Sequence, residues 1–154
     1  MDEALRRFKS SRFGEIEIPE ASIITFVGGL VGFADCKSFT LISYKAPFSW
    51  LQSLENPDLA FVVVNAAEFG DEYQFDLPFG DYELALEGGD EVAIMNLVSI
   101  RPDPSQTTVN LKAPIVVNMK NRRARQIILD DPRYPVRLQL WSEAHISKAR
   151  EQGK

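Results

Sequence analysis

The chain has 154 residues, one Cys, one His and a net charge of −5. That length fits one domain with a core large enough to need no covalent staples. A lone Cys excludes an internal disulfide and any multi-Cys zinc or iron–sulfur site, and one His excludes a His-rich metal centre, so no cofactor is expected.

The chain reads as many short strands. Residues 12–18 alternate, with Ile16 and Ile18 on one side and Glu15 and Glu17 on the other, and Pro19 ends the run. Residues 22–26 form a second strand, stopped by a turn-rich loop containing Gly28, Gly29 and Gly32. Strands follow at 38–43 and 48–54, on either side of Ala46-Pro47. Asn56-Pro57-Asp58 marks a turn, and residues 59–64 are apolar and β-branched enough for a strand buried on both faces. Residues 65–90 are acidic, aromatic and irregular, with a short helix expected over 81–86, capped by Asp81 and stopped by Gly88-Gly89. Further strands are expected at 92–100, 107–111, 115–119, 126–129 and 136–140. In the stretch 108–118, Val109, Leu111, Ile115 and Val117 read as core, and Asn110 and Asn118 as satisfied polar positions that fix the turn. Turns recurring near every ten residues point to an all-β, single-domain, partly closed antiparallel β-barrel with short helices. It is expected to span residues 1–140, with a charged and helix-compatible tail at 141–154.

Charge is unevenly spread. Residues 46–100 contain no Lys or Arg and eleven acids: Glu55, Asp58, Glu68, Asp71, Glu72, Asp76, Asp81, Glu83, Glu87, Asp90 and Glu91. Such a stretch repels nucleic acid and attracts a basic partner, or else serves as a solvated face. Lys120, Arg122, Arg123 and Arg125 form a basic cluster without RNA-binding aromatic motifs, so it reads as a turn that pairs with the acidic third. No apolar run is long enough to span a bilayer, and the N-terminus carries charges where a signal peptide needs apolar residues. A soluble, cytoplasmic protein that binds neither membrane nor nucleic acid, and is monomeric alone, is expected.

Catalytic chemistry is sparse. His145 stands far along the chain from Cys36, the glycines spell no phosphate-binding loop, and Asp71, Glu72 and Asp76 lack a calcium-loop pattern. The informative stretch is 68–82, where Phe69, Tyr73, Phe75, Phe79 and Tyr82 interleave with acids. Apolar anchors ringed by steering charge make a docking surface. The expected partner-binding residues are Phe69, Asp71, Glu72, Tyr73, Asp76 and Phe79, with Phe79, between Pro78 and Gly80, the most exposed. A second reading is a small β-barrel enzyme or ligand-binding domain with a pocket near Trp50, Phe69 and Tyr73.

Seven stretches carry a resemblance. They are Arg12-Phe13-Gly14-Glu15-Ile16; Ile24-Thr25-Phe26 with Gly29-Leu30-Val31-Gly32-Phe33; Pro47-Phe48-Ser49-Trp50-Leu51-Gln52-Ser53; Pro57-Asp58-Leu59-Ala60-Phe61-Val62-Val63; Tyr73-Gln74-Phe75-Asp76-Leu77; the run from Thr108 to Asn118; and Arg125-Gln126-Ile127-Ile128-Leu129. In this order, over about residues 12–138, the chain resembles the FliW family of flagellar assembly factors. The resemblance implies a non-enzymatic, barrel-like binding protein. It implies two exchanging partners, newly made flagellin and the RNA-binding translational regulator CsrA, with repression of flagellin translation relieved when CsrA is bound. After Val64, where similar proteins often continue Asp-Pro, this chain has Asn65-Ala66.

Overall fold

The chain enters as a hairpin, β1 (Leu5–Ser10) against β2 (Gly14–Pro19), in the computed structural model, which describes residues 4–139. The expected tail at 141–154 lies outside the described residues. Nine strands follow: β3 (Ile24–Phe26), β4 (Ser38–Ser43), β5 (Phe48–Ser53), β6 (Ala60–Asn65), β7 (Val92–Ser99), β8 (Thr108–Val109), β9 (Ile115–Asn118), β10 (Arg123–Gln126) and β11 (Leu138–Gln139). The helical elements among the described residues are three short 3-10 turns at Glu20–Ser22, Ala66–Phe69 and Pro104–Gln106.

Strands β7, β6, β5, β4, β3, β10 and β9 pair in that order, and β9 returns to β7 through Met95↔Ile115 and Val92↔Asn118. The ring is closed. Seven strands cannot alternate direction all the way round, so one seam must be parallel. It is β3 with β10, through Thr25↔Arg123 and Phe26↔Ala124. The expected all-β barrel is therefore present, with one parallel pair among antiparallel ones. β8 and β11 extend the sheet beyond β7.

Pleat alternation decides what fills the barrel. Ile24, Phe26, Phe39, Leu51, Val63, Met95, Ile115, Val117 and Ala124 are buried together inside it. Phe26 and Phe39 are fully buried and meet edge to face at 5.1 Å. Each contributes about 2–3 kcal/mol relative to an exposed ring. The loop between β3 and β4 closes one end, placing Leu30 in the core and Phe33 edge to face with Phe61 at 5.2 Å. Gly29 permits that closure: it has φ +72°, and a Cβ there would sit 2.6 Å from the Ala34 carbonyl oxygen.

Three layers cover the outside. The β1–β2 hairpin lies over β5, with the Ser10 hydroxyl on Gln52 Oε1 at 2.9 Å and Phe13 edge to face with Trp50 at 5.9 Å. Segment 66–77 and the return around Tyr134 cover Val64, Val109 and Leu111. Leu84 and Leu86 pack on Val116, with Phe75 and Leu77 beside them.

Residues 81–86 differ from the expected helix. Asp81 does cap a turn, its Oδ1 accepting from the amides of Glu83 (3.0 Å) and Leu84 (3.2 Å). One helical bond forms, Ala85 N–H to Asp81 C=O at 3.0 Å, and Ala85 then enters the left-handed region at φ +53°. Leu84 and Leu86 are drawn onto the barrel instead, which one further helical turn would prevent.

Candidate partner-binding site

The acidic segment leaves β6 at Asn65, whose Oδ1 accepts from Ala67 N–H at 2.9 Å and starts the 3-10 turn. Gly70, at φ +75°, redirects the chain. Residues 72–77 then run with strand-like alternation but no strand ladder. Tyr73, Phe75 and Leu77 turn inward, while Glu72, Gln74 and Asp76 are exposed. Side-chain bonds hold this extended piece where a ladder would otherwise do so.

Two tyrosines supply those bonds. The Tyr73 hydroxyl donates to the Leu111 carbonyl at 2.6 Å and accepts from Asn96 Nδ2 at 2.9 Å. Asn96, fully buried on β7, also donates to the Asn110 carbonyl at 2.9 Å. The Tyr134 hydroxyl donates to the Glu72 carbonyl at 2.8 Å and accepts from Gln74 N–H at 3.1 Å. Burial pushes the Tyr73 phenol up to about 12; the Asn96 amide opposes this and the neighbouring Tyr134 adds to it.

Of the six expected binding residues, Asp71, Glu72, Asp76 and Phe79 are exposed, Phe79 by 54%. Phe69 and Tyr73 are half-buried, meet edge to face at 5.9 Å, and pack towards Val64 and Leu111. Tyr73 spends its hydroxyl on the barrel, so both rings shape the segment rather than project from it. The most exposed aromatic of the segment is Tyr82, at 87%, and not Phe79 as expected.

Folding brings three bases to the acidic third. Arg125 makes an ion pair with Asp81 and lies 3.6 Å from Glu83, and Arg123 donates to the Glu83 carbonyl at 2.9 Å. This is the expected basic turn pairing with acids. Although partial burial raises the Asp81 carboxyl, the Leu84 amide and the Arg125 guanidinium hold it below the usual carboxylate range. Arg133 grips Asp131 at 2.6 Å, lies over the Tyr134 ring at 5.2 Å, and is near enough to Glu72 to be stabilised by it. Among the described residues, Asp71 and Asp76 have no basic group within ion-pairing distance. Of the eleven acids at 46–100, Asp81 and Glu83 are thus ion-paired among the described residues, and Asp71, Glu72 and Asp76 belong to the exposed remainder.

Tyr134 and Asn96 are parts of this site that the sequence reading does not single out. Tyr134 carries one signal, a lone aromatic two residues after Pro132 of the Asp130-Asp131-Pro132 turn. Asn118 is fully buried and donates to the Leu84 carbonyl at 3.0 Å while accepting from Lys120 N–H; Asn110 Oδ1 accepts from Ala113 N–H at 3.0 Å. Both are satisfied turn-fixing positions, and Val109, Leu111, Ile115 and Val117 are buried, as expected.

Among the described residues, Trp50 and the pair Phe69 and Tyr73 belong to different clusters and do not converge on one pocket. Trp50 lies beneath the N-terminal hairpin, with the Arg12 guanidinium 4.3 Å from its ring centre, while Phe69 and Tyr73 belong to the cluster around Val64 and Leu111. A cavity does open at the barrel mouth, and none of those three residues lines it. Among the described residues no group of three or more His, Cys, Asp or Glu is placed to hold a metal ion, and no helix is long and apolar enough to cross a membrane.

Comparison with known proteins agrees with this architecture. The family model described as "FliW protein" matches residues 7–140. The flagellar assembly factor FliW of Caldicellulosiruptor saccharolyticus is 42% identical over 135 residues, covering 86% of this chain and 89% of the relative. That of Geobacter sulfurreducens is 43% identical over 143 residues, covering 91% and 89%. A crystal structure of the flagellar assembly factor FliW superposes with a TM-score of 0.80 at 32% identity, covering 90% of this chain and 99% of that one. With the barrel and the order of its seven matching stretches in place, the chain belongs to the FliW family of flagellar assembly factors.

Proposed function

We propose that the chain acts stoichiometrically and without catalysis, binding CsrA and newly made flagellin in exchange in the cytoplasm and relieving CsrA repression of flagellin translation. Membership of the FliW family supports the role in flagellar assembly. The observation that carries the CsrA half is the exposed row Asp71, Glu72 and Asp76, fixed on a segment that two tyrosine hydroxyls lock to the barrel. A preorganised acidic row steers a basic, RNA-binding partner and loses little entropy when it docks. Phe79 adds an exposed apolar contact at the end of that row.

The test is reconstitution from purified components, with CsrA, flagellin and this chain followed by size-exclusion chromatography. The chain is expected to form a complex with each partner, and added flagellin to release CsrA. Absence of a complex with either partner would defeat the reading.

A further inference from the structure

We propose that the open end of the barrel is a binding site for a short apolar carboxylate. The strands close around a core that is full at the Phe26–Phe39 end but leaves a cavity of about 150 Å³ at the other. Its wall includes Leu41, Ala93, Met95, Val117, Met119 and Arg122. All seven barrel strands bring an end to this mouth or to the turn beside it, so a rigid closed sheet sets its shape. A cavity of this size, open at its mouth and largely apolar in lining, has room for a group about as large as benzene, which corresponds to a carbon chain of about five atoms. Leu41 is 45% exposed although its neighbour Phe39, on the same side of the strand, is fully buried; it stands at the lip instead of filling the space.

Arg122 supplies the second feature. It ends the β9–β10 turn in the left-handed region, at φ +59°, a conformation uncommon outside glycine and asparagine. Arg122 is half-buried, and its Nη1 lies 3.8 Å from the sulfur of Met119, which lines the same cavity. Among the described residues no carboxylate pairs with it. Its neighbours Arg123 and Arg125 both reach the 81–85 loop, which leaves Arg122 and Lys120 of the basic cluster without a carboxylate among the described residues. Lys120 stands in the same turn, and Glu91 is the nearby acid, its backbone carbonyl accepting from Met119 N–H. A cation beside an apolar hole accepts an anion that carries an apolar tail, and the planar guanidinium fork matches a carboxylate. Two sources share this chemistry, a free short-chain fatty acid and the apolar C-terminal residue of a peptide.

The probes are hexanoate, 1-hexanol and N-acetyl-leucine, titrated into the full chain while the methionine methyl NMR signals are followed. The sequence has three methionines, and two of them, Met95 and Met119, line the cavity. Hexanoate is expected to shift both signals saturably, and hexanol to bind about tenfold more weakly, since it lacks the charge-assisted bond. Arg122→Gln should bring hexanoate down to the hexanol level. Leu41→Glu alters an exposed side chain and so spares the fold; it should weaken hexanoate about tenfold by placing a carboxylate at the lip. Tighter binding of N-acetyl-leucine than of hexanoate identifies a peptide terminus as the source, and the reverse order a free acid. No saturable shift at Met95 and Met119 up to ~20 mM, equal binding of hexanol and hexanoate, or an Arg122→Gln variant that binds hexanoate like the wild type would each overturn the assignment.

Discussion

The rings of Tyr73 and Tyr134 meet edge to face at 4.9 Å, and each hydroxyl fastens the stretch of chain that carries or adjoins the other ring. Tyr73 reaches Leu111, whose own amide donates to the Pro135 carbonyl at 3.0 Å, one residue beyond Tyr134; Tyr134 reaches back to Glu72 and Gln74, either side of Tyr73. The acidic segment is thus clasped from both directions.

Tyr73→Phe and Tyr134→Phe should each cost about 1–2 kcal/mol, because each leaves partly buried backbone groups short of a partner. Their effects should not add. A double-mutant cycle by urea denaturation should return a coupling of about 0.5–1 kcal/mol, as expected of groups in one network. Strict additivity would show that the two hydroxyls act separately.

Alkaline stability should report the same join. The Tyr73 phenol is raised to about 12 by burial, against about 10 in an unfolded chain. Between those values the unfolded state has lost the proton and the folded state keeps it. Stability from this group is therefore complete below pH 10 and falls as pH rises towards 12. Tyr73→Phe should lower stability at pH 8 and flatten the decline between pH 10 and 12, read by denaturant melts across that range. An unchanged slope would remove Tyr73 from the account.

The exposed acids should govern encounter with CsrA. Asp71→Ser, Glu72→Ser and Asp76→Ser together are expected to slow association by one to two orders of magnitude at low salt, with a smaller change in dissociation. The difference should shrink as ionic strength rises and the Debye length falls to about 8 Å or less. Arg133 already offsets part of the Glu72 charge, so Asp71 and Asp76 should account for most of the loss. Stopped-flow or surface-binding rates at two salt concentrations decide this; a wild-type association rate in the triple variant rules out this face.

Phe79 should behave in the opposite way. It is 54% exposed between Pro78 and Gly80, so its truncation removes apolar contact without touching the core. Phe79→Ala should speed CsrA dissociation several-fold and keep its association rate and salt dependence. A variant slowed only in association would make Phe79 part of the folded scaffold instead of an anchor.

Most of the barrel was legible in the sequence because its strands bury one face and alternate. Residues 38–43 match β4 as read, β5 and β7 each end one residue earlier than expected, and β6 is shifted by one residue. β1 was not read as a strand. Its inward-facing residues include Arg6 and Ser10, and Ser10 is buried by bonding Gln52 rather than by being apolar. β10 was expected at 126–129 because Ile127, Ile128 and Leu129 are apolar, but the ladder runs through Arg123–Gln126. There only Ala124 enters the core, while Arg123 and Arg125 face outward to hold the 81–85 loop. In the site, exposure of the acids and of Phe79 was visible locally. The inward turn of Tyr73 was not, because its partners Asn96 and Leu111 lie 23 and 38 residues further on.

The Asp81–Arg125 pair sets how the 81–86 turn responds to acid. Asp81 is largely buried, caps the turn through two amides and pairs with Arg125, which is itself about one-third exposed. Its carboxyl is held below the usual range despite the burial that opposes ionisation. The folded state therefore keeps the carboxylate at pH values where the unfolded chain, at about 3.9, begins to bind a proton. Stability from Asp81 is complete above that value and is lost as pH falls through the folded one. Asp81→Ala should cost about 1–2 kcal/mol at pH 7, mostly the lost cap, since an ion pair with a partly exposed guanidinium adds little. Arg125→Gln should cost less and move the acid transition upward. Leu84 and Leu86 should lose protection together, because the turn is what places both on Val116. Amide exchange at Leu84 and Ala85, measured at pH 7 and near pH 2, checks the linkage. If the wild type and Asp81→Ala keep the same stability difference down to pH 2, the carboxylate is not what holds the turn.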